Sequence, residues 1–420
     1  MLFGVATVPV VYAIGRALFS PPAGLWAAGL LAVTYFHVKY SQETRMYALV
    51  GLLFAGALGG LVVAVRRARL DGWTVYVICA TLLLYSHGIA VVYVAALASL
   101  FPLLASRLDG RWAWRPWLAA HLAVGILFLP WGMEALRDAR QVSRGFWIPP
   151  PSSAEPPLFS TLQLITVAPI PALSAILRSR FGLSAPAVLG RWVWFAPVVV
   201  AALWVIVRLG RRDAAATRVL VIAYALPILL LTGLSLTVAP VLIPRVLLPT
   251  VIPVVLLLGA GVDCVSGSRR LSHGILAGVA AVLLLATVCY YQWGVKEEWR
   301  EASRHLAERA GPGDLLLLDV DESPVAGYLL RRYDGSGRLG GLPTLSVGEV
   351  VEACREEAAA CLSRALEPHR SREVVWVLKA HTEFRPRHDL VDAWLTATLE
   401  PLETRELDAI RIERARVRAR

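Results

Sequence analysis

The chain has 420 residues, of which 57% are hydrophobic and only 17% charged, and its mean hydropathy is +0.59. Values of this kind exclude an ordinary water-soluble fold and define a membrane protein. The formal net charge of +11 does not describe a nucleic-acid surface, because the arginines sit in short clusters between apolar runs and at the extreme C-terminus, so no nucleic-acid partner is expected.

Apolar runs of about 17–25 residues, long enough to cross a hydrocarbon core of roughly 30 Å, recur from Met1 to about Trp293. They predict about ten transmembrane helices, over roughly 1–18, 23–40, 46–65, 73–87, 88–105, 117–132, 190–209, 217–237, 245–264 and 273–293. Alternate connections are basic: Arg16, then Arg66, Arg67 and Arg69, then Arg107, Arg111 and Arg115, then Arg208, Arg211, Arg212 and Arg218, then Arg269 and Arg270. The positive-inside rule assigns that series to the cytoplasm. The opposite side then receives the polar stretch His37–Leu49, a loop over about 132–189, and everything after the last span. The expected location is therefore the plasma (inner) membrane, multi-pass, with an extracytoplasmic C-terminal domain. The first apolar helix has no polar flank, and the pattern reads like a chain whose first helix and first external loop have been lost. No repeat and no inverted pair of broken helices is evident, which weakens a transporter reading.

Within the long loop, "RGFWIPPPSSAEPPLF" (Arg144–Phe159) suits a segment lying at the membrane interface, and the run 158–177 is too broken by proline for a confident span. From about residue 294 the composition becomes that of a soluble domain. Helix-like "EEWREASRHLAERA" stops at "GPGD", "LLLLDV" reads as a buried strand, "SPVAGYLLRRY" and "SVGEVVEACREEAAACLSRAL" as helices, "REVVWVLKA" as a strand, "LVDAWLTATL" as a helix and "LDAIRIERARV" as a last strand. That alternation predicts a small α/β domain over 294–420, following a transmembrane domain over 1–293. "GPGD" lacks a surrounding phosphate-loop pattern and reads as a helix stop and strand entry. Cys354 and Cys361 lie seven apart in one helix-like run, about 10 Å of rise, so no structural disulfide is expected unless that helix breaks. No acidic cluster has metal-ligand spacing; no metal ligands and no cofactor are assigned, and a divalent metal stays open.

The polar stretch places Tyr40, Gln42, Glu43, Arg45 and Tyr47 between two spans. A tight headgroup-level turn with an interfacial Tyr and a snorkelling Arg is one reading. The other is that Glu43 and Arg45 face a cavity, since ionisable groups beside hydrocarbon are costly unless paired or employed. His87, at a tight turn, reads either as a structural histidine bonded to a backbone carbonyl or as a site residue. Arg245, between Pro244 and Pro249, either snorkels or holds an anion with its planar fork of donors.

Five stretches, "YSQETRMYAL", "YSH", "FWIPPPS", "PRVLLPTVIPVVLLL" and "EEWREASRHLAERAGPGDLLLL", occur in the order in which they stand in bacterial polytopic proteins of the glycosyltransferase family 39 type. The chain resembles the protein O-mannosyltransferases and lipid A aminoarabinose transferases of that kind, which share the GT-C membrane fold. The resemblance implies transfer of a hexosyl or pentosyl group from a polyprenyl-phosphate sugar donor, on the outer face, to a hydroxyl of an acceptor glycan, lipid or protein of the cell envelope. It implies that Arg245, with Arg45 or His87, stabilises the phosphate leaving group, with Tyr47 beside them, and that a carboxylate takes the acceptor proton. In such relatives the base lies in the first external loop, which has no counterpart here; Glu43, in the second, is the candidate. A catalytically inactive or truncated lipid-carrier-binding membrane protein is the alternative.

Overall fold

The computed structural model describes residues 1–105, 114–142, 157–168, 187–264, 269–293, 298–320, 323–354, 357–380, 382, 388–407 and 409–418. The chain divides into two compact units, Met1–Gly294 and Val295–Arg420.

The first unit is helical and integral to a membrane. Its described helices are α1 Leu2–Leu18, α2 Pro21–Val33, α3 Tyr35–Gln42, α4 Tyr47–Arg66, α5 Leu70–Ser86, α6 Ala90–Ser99 and α7 Phe101–Ala105. They continue with α8 Trp114–Val142, α9 Pro157–Thr166, α10 Ala187–Arg212, α11 Ala214–Thr237, α12 Val251–Gly259 and α13 Arg269–Trp293. Among the described residues, six segments are long and apolar enough to cross a membrane, and four shorter apolar helices account for the remaining predicted runs. Pro244–Asp263 is the centre of the bundle, with 94% of its apolar window buried, whereas the same measure for Trp114–Ala135 is 11%. The outward side chains of that second helix, Leu122, Ile126 and Leu129 among them, are apolar. Such a surface is stable against lipid and not against water.

Local chemistry explains the boundaries. Ser20 caps α2 by accepting from the Ala23 amide at 3.2 Å, with two prolines in the first turn where their missing N–H costs nothing. Asp213 caps α11 through the Ala216 amide at 3.0 Å. Small residues let helices meet closely: a Cβ on Gly24 would stand 2.5 Å from the Tyr12 carbonyl oxygen, so α1 and α2 touch backbone to backbone. The predicted span 23–40 is two helices and not one. Thr34 is extended, its hydroxyl bonded to the Leu30 carbonyl at 2.7 Å, and α3 starts anew at Tyr35. Proline also shapes the central segment, whose first turns, Pro244–Thr250, are 3-10 before α12 begins.

The stretch read as an external loop is partly regular: α8 runs on to Val142, and α9 buries Thr161, Ile165 and Thr166. Tyr35 and Tyr224 donate their hydroxyls to the Leu164 and Leu158 carbonyls of α9. The aromatic-proline motif at 146–152 lies outside the described residues, as do 169–186.

The C-terminal unit is a five-stranded sheet of order β2-β1-β3-β5-β4. Its strands are β1 Leu315–Val320, β2 Thr344–Ser346, β3 Val375–Ala380, β4 Leu399–Leu407 and β5 Ile410–Val417. β1 runs parallel to β2 and β3, and β5 antiparallel to β3 and β4. Strand alternation separates two cores: Leu316, Leu318 and Val320 join α14 (Trp299–Arg309) and α15 (Ser323–Tyr333), while Leu315 and Leu317 face the other layer. β2 and β4 were not expected. β4 is an edge strand that tolerates Pro401 because its ladder shifts register between Pro401 and Glu403.

"GPGD" is a helix stop: Asp314 accepts from the Gly311 amide at 2.9 Å and from the Trp376 indole at 2.8 Å. The expectation about cysteines is overturned. The run read as one helix is two, α16 Val347–Ala353 and α17 Ala358–Leu366, and Cys354 stands extended at the break. That break brings Cys354 and Cys361 to a Cα separation of 6.3 Å, and they are joined by a disulfide.

Candidate functional site

The breaks between helices build the site. α3 ends at Gln42, Glu43 is extended, and α4 begins only at Tyr47, which leaves a short non-helical turn between two apolar helices. Arg245 is set beside that turn by the extended Ile243 and by Pro244, which starts the 3-10 segment. Together they enclose an open pocket of about 490 Å³ lined by Lys39, Tyr40, Gln42, Glu43, Arg45 and Arg245, with Thr44 at its edge. Among the described residues, three cations and one carboxylate thus share one cavity.

Tyr47 is 5% exposed and forms the layer behind the pocket. The Arg245 guanidinium carbon lies 5.9 Å from its ring centroid. Rings continue on either side, Tyr40 at 5.8 Å and His87 at 5.9 Å from Tyr47. His87 is therefore one ring removed from the pocket and does not line it. Its Nδ1 accepts the Ile89 amide at 3.1 Å, a bond to a backbone N–H and not to the carbonyl that the structural reading anticipated. In the neutral ring that leaves the proton on Nε2. The charge of Arg245 bears on both Tyr40 and His87, and that of Glu43 on Tyr40 and Tyr290.

Of the five residues singled out by sequence, Glu43, Arg45 and Arg245 line one pocket, Tyr47 supports it, and His87 stands behind Tyr47. Gln42, noted only as part of the polar stretch, and Lys39 also line the pocket and were not singled out. Both lie at the end of α3, Lys39 within the predicted span and Gln42 just past it, and their three-residue spacing puts them on one face. Lys39 sits 5.3 Å from the Tyr40 ring, and Gln42 donates to the Tyr291 hydroxyl, tying the last turns of α13 to the pocket's rim. Among the described residues, no three His, Cys, Asp or Glu side chains come together at metal-binding spacing.

The other end of the helical unit is built differently. Arg66 donates to the Leu18 carbonyl at 2.7 Å and to Asp213 at 3.1 Å, Ser20 donates to Asp263 at 2.9 Å, and the Trp26 indole donates to His273 at 2.9 Å. Those bonds gather the connections that carry the basic series.

No protein-family model and no curated protein sequence matches the chain. Among solved structures, ArnT from Cupriavidus metallidurans, a lipid A aminoarabinose transferase, superposes with a TM-score of 0.56 at 12% identity, over 99% of this chain and 82% of its own. The oligosaccharyltransferase of Archaeoglobus fulgidus gives 0.45 at 14% identity, over 90% of this chain and 55% of that one. The arabinofuranosyltransferase AftD from mycobacteria gives 0.37 at 13%, over 99% of this chain and 34% of that one. The first of these shows the fold: this is a polytopic membrane protein of the GT-C architecture with a small C-terminal sheet domain. The resemblance carried by the five sequence stretches is met at that level.

Proposed function

We propose that the chain is a membrane glycosyltransferase that moves a sugar from a polyprenyl-phosphate donor to a hydroxyl of an acceptor, at the extracytoplasmic face. The observation that carries this reading is the pocket of Lys39, Glu43, Arg45 and Arg245 at the end of an apolar bundle. A lipid phosphate leaving group at the interface needs cations that are tolerably desolvated, and guanidinium is the least strongly hydrated of the available ones.

In this reading the glycosidic bond between the sugar's anomeric carbon and the phosphate oxygen breaks with its electron pair going to the phosphate. Arg245, held on the Tyr47 ring, and Arg45 stabilise the charge that develops there. The acceptor oxygen bonds to the anomeric carbon, and its proton passes to Glu43, the one carboxylate among the described residues lining the pocket. Lys39 adds positive potential, and His87 positions Tyr47. The C-terminal disulfide supports the proposed sidedness, because such bonds persist in oxidising, extracytoplasmic compartments. So does the separation of the arginine-rich connections from the pocket.

The test uses the full chain in lipid nanodiscs with a polyprenyl-phosphate sugar. Arg245→Ala abolishes donor binding and Arg66→Ala, at the opposite end, does not; equal binding by both removes Arg245 from the site. Donor binding by the unaltered chain with no transfer to any hydroxyl acceptor identifies a lipid-carrier-binding protein instead.

A further inference from the structure

A second cavity, of about 540 Å³, lies wholly within the C-terminal unit and has no part in the chemistry above. Its walls come from two helices and the turn that follows the second. Arg300, Arg304 and Ala307 recur at helical spacing along one face of α14, Tyr333 closes α15, and Gly335 and Arg338 come from the turn. That turn is fixed by Asp334, which accepts from the Ser336 amide at 3.0 Å, the Ser336 hydroxyl at 2.6 Å and the Leu339 amide at 2.7 Å.

A solvated arginine cluster on a helix face is the plain alternative, and three features argue against it. First, although the three arginines are exposed, each guanidinium is oriented by a neighbour: Arg300 lies 5.2 Å from the Tyr333 ring centroid, Arg304 pairs with Glu301, and Arg338 reaches the Ala307 carbonyl at 3.4 Å. Second, the charge is unbalanced. Glu308 is the one carboxylate among the described residues on the wall, and Glu301 is divided between Arg304 and Arg405, the latter at 2.6 Å. Third, the cavity is in the size range of small-molecule clefts, far larger than a lone ion needs, and part of its wall is uncharged.

We infer that this cavity binds a phosphate monoester carried on a polyhydroxylated body, a sugar or a glycerol. Two charges near neutral pH and three acceptor oxygens suit several guanidinium forks better than a single carboxylate would. The Tyr333 and Ala307 side of the cavity is left for the body of the ligand. The inference does not depend on the transferase reading, since no residue is shared between the two sites.

The experiment measures binding of glucose 1-phosphate, glycerol 3-phosphate and uncharged glucose to the full chain in zwitterionic nanodiscs, by calorimetric titration. Saturable binding of the phosphate esters and none of glucose is expected. The double variant Arg300→Gln, Arg338→Gln should weaken it by about tenfold or more, from the loss of charge-assisted bonds. Gly335→Phe, whose side chain grows into open space, should weaken it comparably with every arginine intact. Arg416→Gln on β5 and Arg67→Gln at the closed end of the helical unit should leave it within about twofold, as remote sites do. Tighter binding of glucose 1-phosphate than of glycerol 3-phosphate assigns the ligand to phosphorylated glycans, and the reverse order to glycerophosphate headgroups; either supports the site. No saturable binding, equal binding of glucose, or a loss that follows Arg67→Gln or Arg416→Gln overturns it.

Discussion

The two ends of the helical unit use the same residue types to opposite effect. At one end Arg66 is mated to Asp213 and a carbonyl, Ser20 to Asp263 and Trp26 to His273, so polar groups close the bundle. At the other, Lys39, Arg45 and Arg245 gather around a single carboxylate at an open pocket. A bundle that needed only to end in water would repeat the first arrangement. An excess of positive charge next to hydrocarbon is costly to maintain, and it becomes reasonable where an anion is to be held. The difference between closed and open ends is therefore the strongest structural argument for a ligand at Glu43.

The largest expected effect breaks the open end chemically. Glu43→Gln keeps the shape of the pocket and removes the proposed base, so sugar transfer should fall by a factor of about 100 or more while donor binding persists. A radiolabelled transfer assay beside a binding assay reads the split; unchanged transfer places the base elsewhere. Next, Asp213→Ala breaks the closed end. It removes the cap of α11 and the partner of a half-buried Arg66, and should cost about 1–2 kcal/mol of stability. Thermal unfolding would measure that loss, with donor affinity unchanged.

The smallest effect involves neither end. His305, 3% exposed in the C-terminal unit, takes a hydrogen bond on Nδ1 from Arg405 at 2.7 Å, so it is neutral there. Burial first, then the Arg405 and Arg309 charges, push its pKa below the usual histidine value. The unfolded chain then binds the proton more readily than the folded one. Stability is fully present above the unfolded value of about 6.5 and declines as the pH falls through it. Melting of the C-terminal unit should show this decline between about pH 7 and 5, and His305→Gln should flatten it.

Much of this was legible in the sequence, for identifiable reasons. Hydrocarbon thickness imposes a length on apolar runs, so each predicted span falls on a helical segment except 23–40, which the break at Thr34 divides. Glu43, Arg45 and Arg245 stood out because charge amid apolar sequence is expensive. What escaped notice had local disguise. The break at Thr34 adds no polar run, and Lys39 sits at the end of a run that reads as a span. β4 is rich in charged residues and contains Pro401, because an edge strand has one side in solvent. The Cys354–Cys361 bridge was hidden by a helical period that continues through a break only tertiary structure could impose.

Sidedness tests the account most directly. In a chain whose Cys79, Cys264 and Cys289 are replaced by alanine, single cysteines are placed at Thr44, exposed beside the pocket, and at Arg67, exposed at the closed end. A membrane-impermeant maleimide applied to intact cells should label Thr44→Cys at once and Arg67→Cys only after permeabilisation. Labelling in the opposite order would put the pocket in the cytoplasm and contradict sugar transfer on the outer face.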